Sequence, residues 1–323
     1  MIRKITADRP LKVLGFTDTH FDGNYDCYVW ALRLMRETIE AEKPDLVLFV
    51  GDNVTGGDNG GRAEEFAQVM TQLKTPWAPV LGNHEGDNPE SIARSEMINI
   101  FRKSPYCLIP EGKTTTADGR ELFGDTNYAV SLYNEDGKVC HKLIFLDGGD
   151  EMSEEDKKRL GFENPPRCPY DYLKEEQIAW YREEVRKDDC PSMVFCHIPL
   201  PEFWEAVEQG ELLAGAKREN ICSPLYNSGM FDAMVEEGKS IAFIAGHDHI
   251  NDFRILYKGI QCIYNRMGGL SSYNVISKKQ GTRLMQGCSV YTIDVQGNVS
   301  FGDVIYADRF PQYYDSIYAI VRK

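Results

Sequence analysis

Apolar residues along the first third of the chain fall into short unbroken runs separated by stretches with helical spacing. Residues 11–17 (LKVLGFT) and Asp45–Val50 (DLVLFV) are continuous and β-rich, as strands buried on both faces of a sheet tend to be. Between them, residues 25–43 place Trp30, Leu34 and Ile39 at helical intervals with charge between, and Pro44 ends the helix. A helix over about 62–74, a strand over 77–81 and a helix over 89–102 follow. This β-α-β-α-β-α order predicts an α/β layered fold with right-handed crossovers. Tyr128–Tyr133 and Lys142–Leu146 flank the turn Asn134-Glu135-Asp136-Gly137, a hairpin signal. Residues 175–187 read as a helix, 192–196 as a strand, 228–237 as a helix and 241–245 as a strand. The alternating segments 252–257, 260–264, 288–295 and 298–305 read as an antiparallel meander. The stretches 148–174, 198–225 and 265–287 show no sustained period and read as functional loops. No linker or repeat divides the chain, so residues 1–323 are expected to form one domain, with a core over about 11–305 and a tail over 306–323.

Chemistry enters at the ends of the apolar runs. Five short motifs stand there: Asp18-Thr19-His20, Gly51-Asp52-Asn53, Gly82-Asn83-His84-Glu85, Cys196-His197 and Gly246-His247-Asp248-His249. They contain five of the six histidines. Ligands at the carboxyl ends of strands converge in one crevice of an open α/β sheet. Carboxylate, carboxamide and imidazole donors without a thiolate suit Mn, Fe or Zn, and two such ions side by side promote phosphate-ester hydrolysis.

These motifs resemble the calcineurin-like metallophosphoesterases, whose pattern is D-x-H, G-D, G-N-H-[DE], H and G-H-x-H. The segments His197–Phe203, Asn227-Ser228-Gly229 and Gly246–Phe253 are similar to the small purple-acid-phosphatase-like proteins of plants and related fungal phosphatases. The resemblance covers roughly residues 11–305 and implies a four-layer αββα arrangement, a layered β-sandwich of two mixed sheets flanked by helices. It further implies two divalent or trivalent ions, one held by Asp18, His20, Asp52 and His249, the other by Asp52, Asn83, His197 and His247. A hydroxide shared by the ions would attack phosphorus in line, and His84 would donate to the phosphate or protonate the leaving oxygen. The reaction implied is phosphomonoester hydrolysis. A phosphodiesterase acting on a cyclic nucleotide or other small diester, a nuclease and an inactive scaffold are the alternatives. Purple acid phosphatases carry a tyrosine three residues after the aspartate of the second block. Thr55 stands there, and the first block carries His20 where the purple enzymes have no histidine, so a colourless enzyme is expected.

Around this set the readings are less specific. Glu85 either orients a ligand or caps the segment that follows. Asp248, between two ligand candidates, is read as supporting or exposed, and His141 as a plain surface histidine. Arg266 could contact a substrate phosphate or be a solvated loop arginine; Asn227 and Tyr273 are further substrate candidates. The chain is 42% hydrophobic and 27% charged with net charge −14, which disfavours long nucleic acid as a partner and leaves a small phosphorylated substrate or a phosphoprotein. Nine scattered cysteines without a C-x-x-C pair read as reduced thiols; with no apolar leader and no run long enough to span a membrane, a cytoplasmic setting is expected.

Overall fold

The strands assemble into two mixed sheets in a computed structural model that describes residues 2–22, 25–271 and 285–321. In the first, β1 (Leu11–Phe16), β2 (Leu46–Val50) and β3 (Trp77–Val80) run parallel, and β11 (Gly287–Ile293) and β12 (Val299–Ile305) extend the β1 edge antiparallel. The second sheet runs β4 (Tyr128–Tyr133), β5 (Val139–Phe145), β6 (Ser192–Phe195), β8 (Ser240–Ala245), β10 (Ile260–Tyr264), β9 (Arg254–Tyr257) and β7 (Glu211–Ala214). Its centre, β5-β6-β8-β10, is parallel.

The two-residue period of these strands divides the core. Leu143 and Phe145, Met193 and Phe195, Ala242 and Ile244 face the first sheet, while Ile144, Val194 and Phe243 face the opposite way. That opposite face is covered by α5 (Glu175–Arg186), α6 (Glu202–Gln209) and α7 (Met230–Glu237) through Trp180, Tyr181, Phe203, Phe231 and Met234. The outer face of the first sheet is covered by α1 (Tyr25–Glu42), α2 (Asn59–Leu73) and α3 (Arg94–Arg102) through Leu34, Met35, Phe66, Met70 and Phe101. Helix, sheet, sheet, helix is the four-layer order expected, and the unbroken apolar runs are strands with both faces buried.

Several boundaries differ from the sequence reading. α3 starts at Arg94, because Asn88 accepts from the Glu90 amide and turns the chain around Pro89 first. The last four strands are not one meander: β9-β10 belongs to the second sheet and β11-β12 to the first, and β10 pairs parallel with β8. The loop at 148–174 contains α4 (Glu154–Leu160), started by the Ser153 hydroxyl accepting from the Asp156 amide and stopped at Gly161 (φ 78°). The loop at 198–225 contains α6 and β7. Residues 306–321 are a short helix, α8 (Tyr306–Arg309), a 3₁₀ turn and α9 (Tyr314–Val321), and Tyr306 and Ile317 are buried in the same apolar cluster as the first sheet and its helices. Their attachment to α1 includes Tyr313 against Trp30, with ring centres 5.3 Å apart. His141 is not a surface residue. β5 begins at Val139, earlier than expected, so His141 is fully buried, where its Nδ1–H donates to the Gly297 carbonyl (2.9 Å).

Candidate metal centre

Parallel strands in both sheets end at one rim, and the loops that follow are sewn together by their own backbones. The Asp18 and His20 amides donate to the Gly51 and Asp52 carbonyls (3.1 and 2.9 Å), which locks the loop after β1 to the loop after β2. The Gly246 amide donates to the His197 carbonyl (2.9 Å), joining the loops after β6 and β8. The sheets meet where His197 Nδ1–H donates to the Val50 carbonyl (2.8 Å) and the His247 amide donates to the Asp18 carboxylate (3.1 Å). Glycines permit this closeness: a Cβ on Gly51 (φ 85°) would stand 2.3 Å from the His197 ring, and one on Gly82 would stand 2.3 Å from Asp52 Oδ1. Asp18, His20, Asp52 and His247 themselves take left-handed backbone conformations (φ 49°, 41°, 50° and 76°). Such strain persists only where the surrounding structure imposes it.

The side chains so placed form two groups that share Asp52. Donor atoms of Asp18, His20, Asp52 and His249 lie within 4.8 Å of one another, as do those of Asp52, His197 and His247. All are buried. His249 Nε2 is 3.3 Å from Asp18 Oδ1 and 3.1 Å from His20 Nε2, and His197 Nε2 is 3.1 Å from Asp52 Oδ2. Yet Asp52 Oδ2, His197 Nε2, His247 Nε2 and the neighbouring Asn83 Oδ1 are buried without a hydrogen bond. Polar atoms buried this way cost roughly 1–3 kcal/mol each, and more when charged, so lone pairs aimed at one another call for cations between them. Burial foremost lowers His20 to about 4 and His247 to about 3, which keeps these imidazoles neutral, as ligation requires. His197 goes the other way. Burial opposes its charge, but Asp52 and Asp18 at its Nε2 edge raise it to about 10, the sign of a place between two carboxylates that favours positive charge. A metal ion there would supply that charge and leave the ring neutral. With Nδ1–H committed to Val50, Nε2 is the nitrogen left to coordinate.

Glu85 supports the cluster. It is fully buried, and its carboxylate accepts from the Asn53 amide (2.7 Å), the Asn53 side chain (3.0 Å) and the Gly82 amide (2.8 Å), which fixes the loops after β2 and β3 relative to one another. Burial and the nearby Asp52 charge raise it to about 7. Asp248 is buried and accepts from the Cys222 amide (3.0 Å) and the Tyr264 hydroxyl, so it braces the loop carrying His247 and His249. His84 stands at the mouth. Its amide donates to Asp52 Oδ1 (2.9 Å), its ring centre is 5.7 Å from that of His20, and its side chain is 46% exposed, open to an incoming ligand. Burial opposes protonation of His84, but Asp52 and Asp87 hold its pKa above the usual histidine value.

The substrate candidates fare differently. Arg266 is neither solvated nor poised for phosphate. It is buried, donating to the Met285 carbonyl (2.9 Å), Asp252 (3.1 Å) and Asp303 (3.3 Å), because β10 delivers it between the two sheets. Asn227 donates to Glu202 (2.6 Å) and accepts from the Gly229 amide (2.9 Å), so its carboxamide is engaged at the start of α7. Tyr273 lies outside the described residues. Sequence reasoning missed Asp147, which follows β5 in the same strand-then-carboxylate layout as Asp18 and Asp52. It is fully buried and accepts from the Asp125 and Thr126 amides (2.9 and 3.1 Å) and from Arg94 (2.7 Å), whose other nitrogen reaches the Gly82 carbonyl (2.5 Å). It missed Tyr170 too, whose ring meets His247 edge-on at 4.4 Å.

Two mixed sheets with a buried Asp/His cluster at their shared rim describe a metallophosphoesterase fold, and the chain belongs to the calcineurin-like phosphoesterase family, whose sequence profile matches residues 11–251. A protein of Arabidopsis thaliana named "Probable inactive purple acid phosphatase 14" is 30% identical over 278 residues, 78% of this chain and 65% of its own length. Phosphatase DCR2 of Saccharomyces cerevisiae is 31% identical over 236 residues, 68% of this chain and 38% of its own length. The chain thus spans just under two thirds of the plant relative and well under half of the yeast one. Among solved structures, a dimetal phosphatase from Danio rerio superposes with a TM-score of 0.57 at 16% identity, over 92% of this chain and 99% of that one, which is a likeness of fold.

Proposed function

We propose that this chain is a dimetal phosphomonoesterase. The observation that carries the reading is the convergence of unpartnered, buried donor atoms from Asp52, His197 and His247 beside Asp18, His20 and His249, with Asn83 Oδ1 likewise buried and without a hydrogen bond on the loop after β3. Asp18, His20, Asp52 and His249 would hold one ion and Asp52, Asn83, His197 and His247 the other; oxygen and imidazole donors suit Mn, Fe or Zn. Bound there, the ions supply Lewis-acid polarisation of the phosphoryl group and acidify a water. The protein does the rest. The His84 amide holds Asp52 Oδ1, which fixes the carboxylate, while Oδ2 has no hydrogen bond. Glu85 fixes the spacing of the Asp52 and Asn83 loops. His84, whose pKa Asp52 and Asp87 raise against the opposing effect of burial, gives a proton to the leaving oxygen, a contribution worth roughly 10²–10⁴-fold.

The name of the plant relative raises a second reading, a scaffold without turnover. Here every ligand candidate is present, which favours chemistry. The test is hydrolysis of para-nitrophenyl phosphate and bis-para-nitrophenyl phosphate after loading with Mn, Fe or Zn, before and after chelation. Turnover of the monoester that disappears with EDTA and returns with metal is expected. No turnover with metal bound would favour the scaffold, and turnover indifferent to EDTA would sink the metal reading.

A further inference from the structure

His84 owes its place to its amide, but the orientation of its ring is set elsewhere. Asp87, three residues on in the same turn, sends Oδ2 to within 2.5 Å of His84 Nδ1. Both side chains are close to half exposed, so an imidazole here without a partner would sample several rotamers and both tautomers. The carboxylate removes that freedom: Nδ1 keeps its proton against Asp87, and Nε2 is the only ring nitrogen left for a ligand. Among the described residues, the Asp87 side chain makes no other hydrogen bond or ion pair. A carboxylate whose one partner is an exposed histidine at the mouth of a metal cluster has an obvious structural use only if that histidine must be aimed.

We infer that Asp87 is the positioning residue of this site, fixing the His84 ring so that the proton passed to the leaving oxygen comes from Nε2. In that step the Nε2–H bond breaks and an O–H bond forms on the departing alcohol. Nδ1–H persists, and His84 ends as the neutral Nδ1–H tautomer. The inference rests on the phosphomonoesterase reading for its kinetic consequence, but the tautomer itself can be observed without turnover.

The experiment compares the metal-loaded parent with Asp87→Ala and Asp87→Glu. Against aryl phosphates of graded leaving-group pKa, Asp87→Ala should lose roughly tenfold in kcat on poor leaving groups, as outer partners of a site histidine generally cost 10–100-fold, and little on good ones. KM and bound metal should be unchanged, and Asp87→Glu should recover part of the loss. A loss equal across leaving groups, or none, overturns the inference. Long-range ¹H–¹⁵N spectra of the His84 ring decide independently of turnover. Protonated Nδ1 in the parent and mixed tautomers in Asp87→Ala support the role even if the parent hydrolyses nothing, an outcome that would sink only the phosphomonoesterase reading. The same tautomer in both proteins overturns it.

Discussion

Replacing Gly82 with alanine adds one methyl group at the point where the two sheets deliver their donors. An ideal Cβ there would lie 2.3 Å from Asp52 Oδ1, 2.5 Å from the Asp52 amide nitrogen and 2.7 Å from His197 Cδ2. Each is shorter than real Cβ contacts allow, and two involve the residue common to both donor groups. Backing away needs a shift of roughly 0.7 Å or more, several times the ~0.2 Å within which a ligand distance must hold. Asp52 is also held by the His84 amide, so the shift would carry His84 with it. Overpacking of this kind costs about 1–3 kcal/mol of stability, which a protein with ordinary stability survives. The expected result is therefore a folded protein whose metal affinity falls by at least about tenfold, with hydrolysis falling in parallel. Metal analysis after dialysis against graded buffered metal measures the affinity, and urea denaturation measures the stability. Gly302→Ala, where the nearest atom is Val290 Cβ at 3.9 Å, is the control and should change neither. If Gly82→Ala binds metal as the parent does, the geometric argument is wrong.

Arg266→Ala should lower stability by roughly 3 kcal/mol in denaturant titrations, because it strips a buried partner from Asp252. It should leave KM for small esters within about twofold; a large rise in KM would return Arg266 to the substrate. His141 gives a pH dependence of known sign. Burial, partly offset by its bond to Gly297 and by Asp294, lowers its folded pKa to about 4 from 6.5. The unfolded chain then binds the extra proton between those values, and stability present above pH 6.5 is lost as pH falls toward 4. The loss is on the order of 3 kcal/mol at most. His141→Asn keeps a donor for Gly297 without titrating, so stability of parent and variant should diverge on acidification from pH 7.5 to 4.5. Parallel curves would refute the assignment.

The strand-end placement of the ligand candidates was legible because the unbroken runs before them, Leu46–Val50 above all, are too apolar for anything but a strand buried on both faces. The pairing of the last four strands was not. β9-β10 and β11-β12 carry the same two-residue period and tight turns, and nothing local distinguishes a hairpin in one sheet from its twin in the other. Arg266 was misread for the same reason: its partners belong to separate sheets, Asp252 just before β9 and Asp303 within β12. His141 was misread because the start of β5 was placed three residues late, and one such shift moves a histidine from solvent to core. The left-handed backbones at Asp18, His20, Asp52 and His247 leave no trace in hydropathy, although aspartate and histidine are among the few side chains that tolerate them.

Those four backbones bear on how such a protein changes over generations. A position with φ near 50° admits glycine, asparagine, aspartate and histidine at little cost and penalises most other residues. Random substitution at Asp18 or Asp52 is therefore filtered by the backbone before chemistry is consulted, and what passes most easily is glycine or asparagine. Either removes a buried negative charge that needs a cation to be comfortable, so losing the reaction makes the fold easier to keep. A metal centre built this way has a short downhill path to becoming a stable, silent copy of itself, a path along which this chain, with both carboxylates in place, has not stepped.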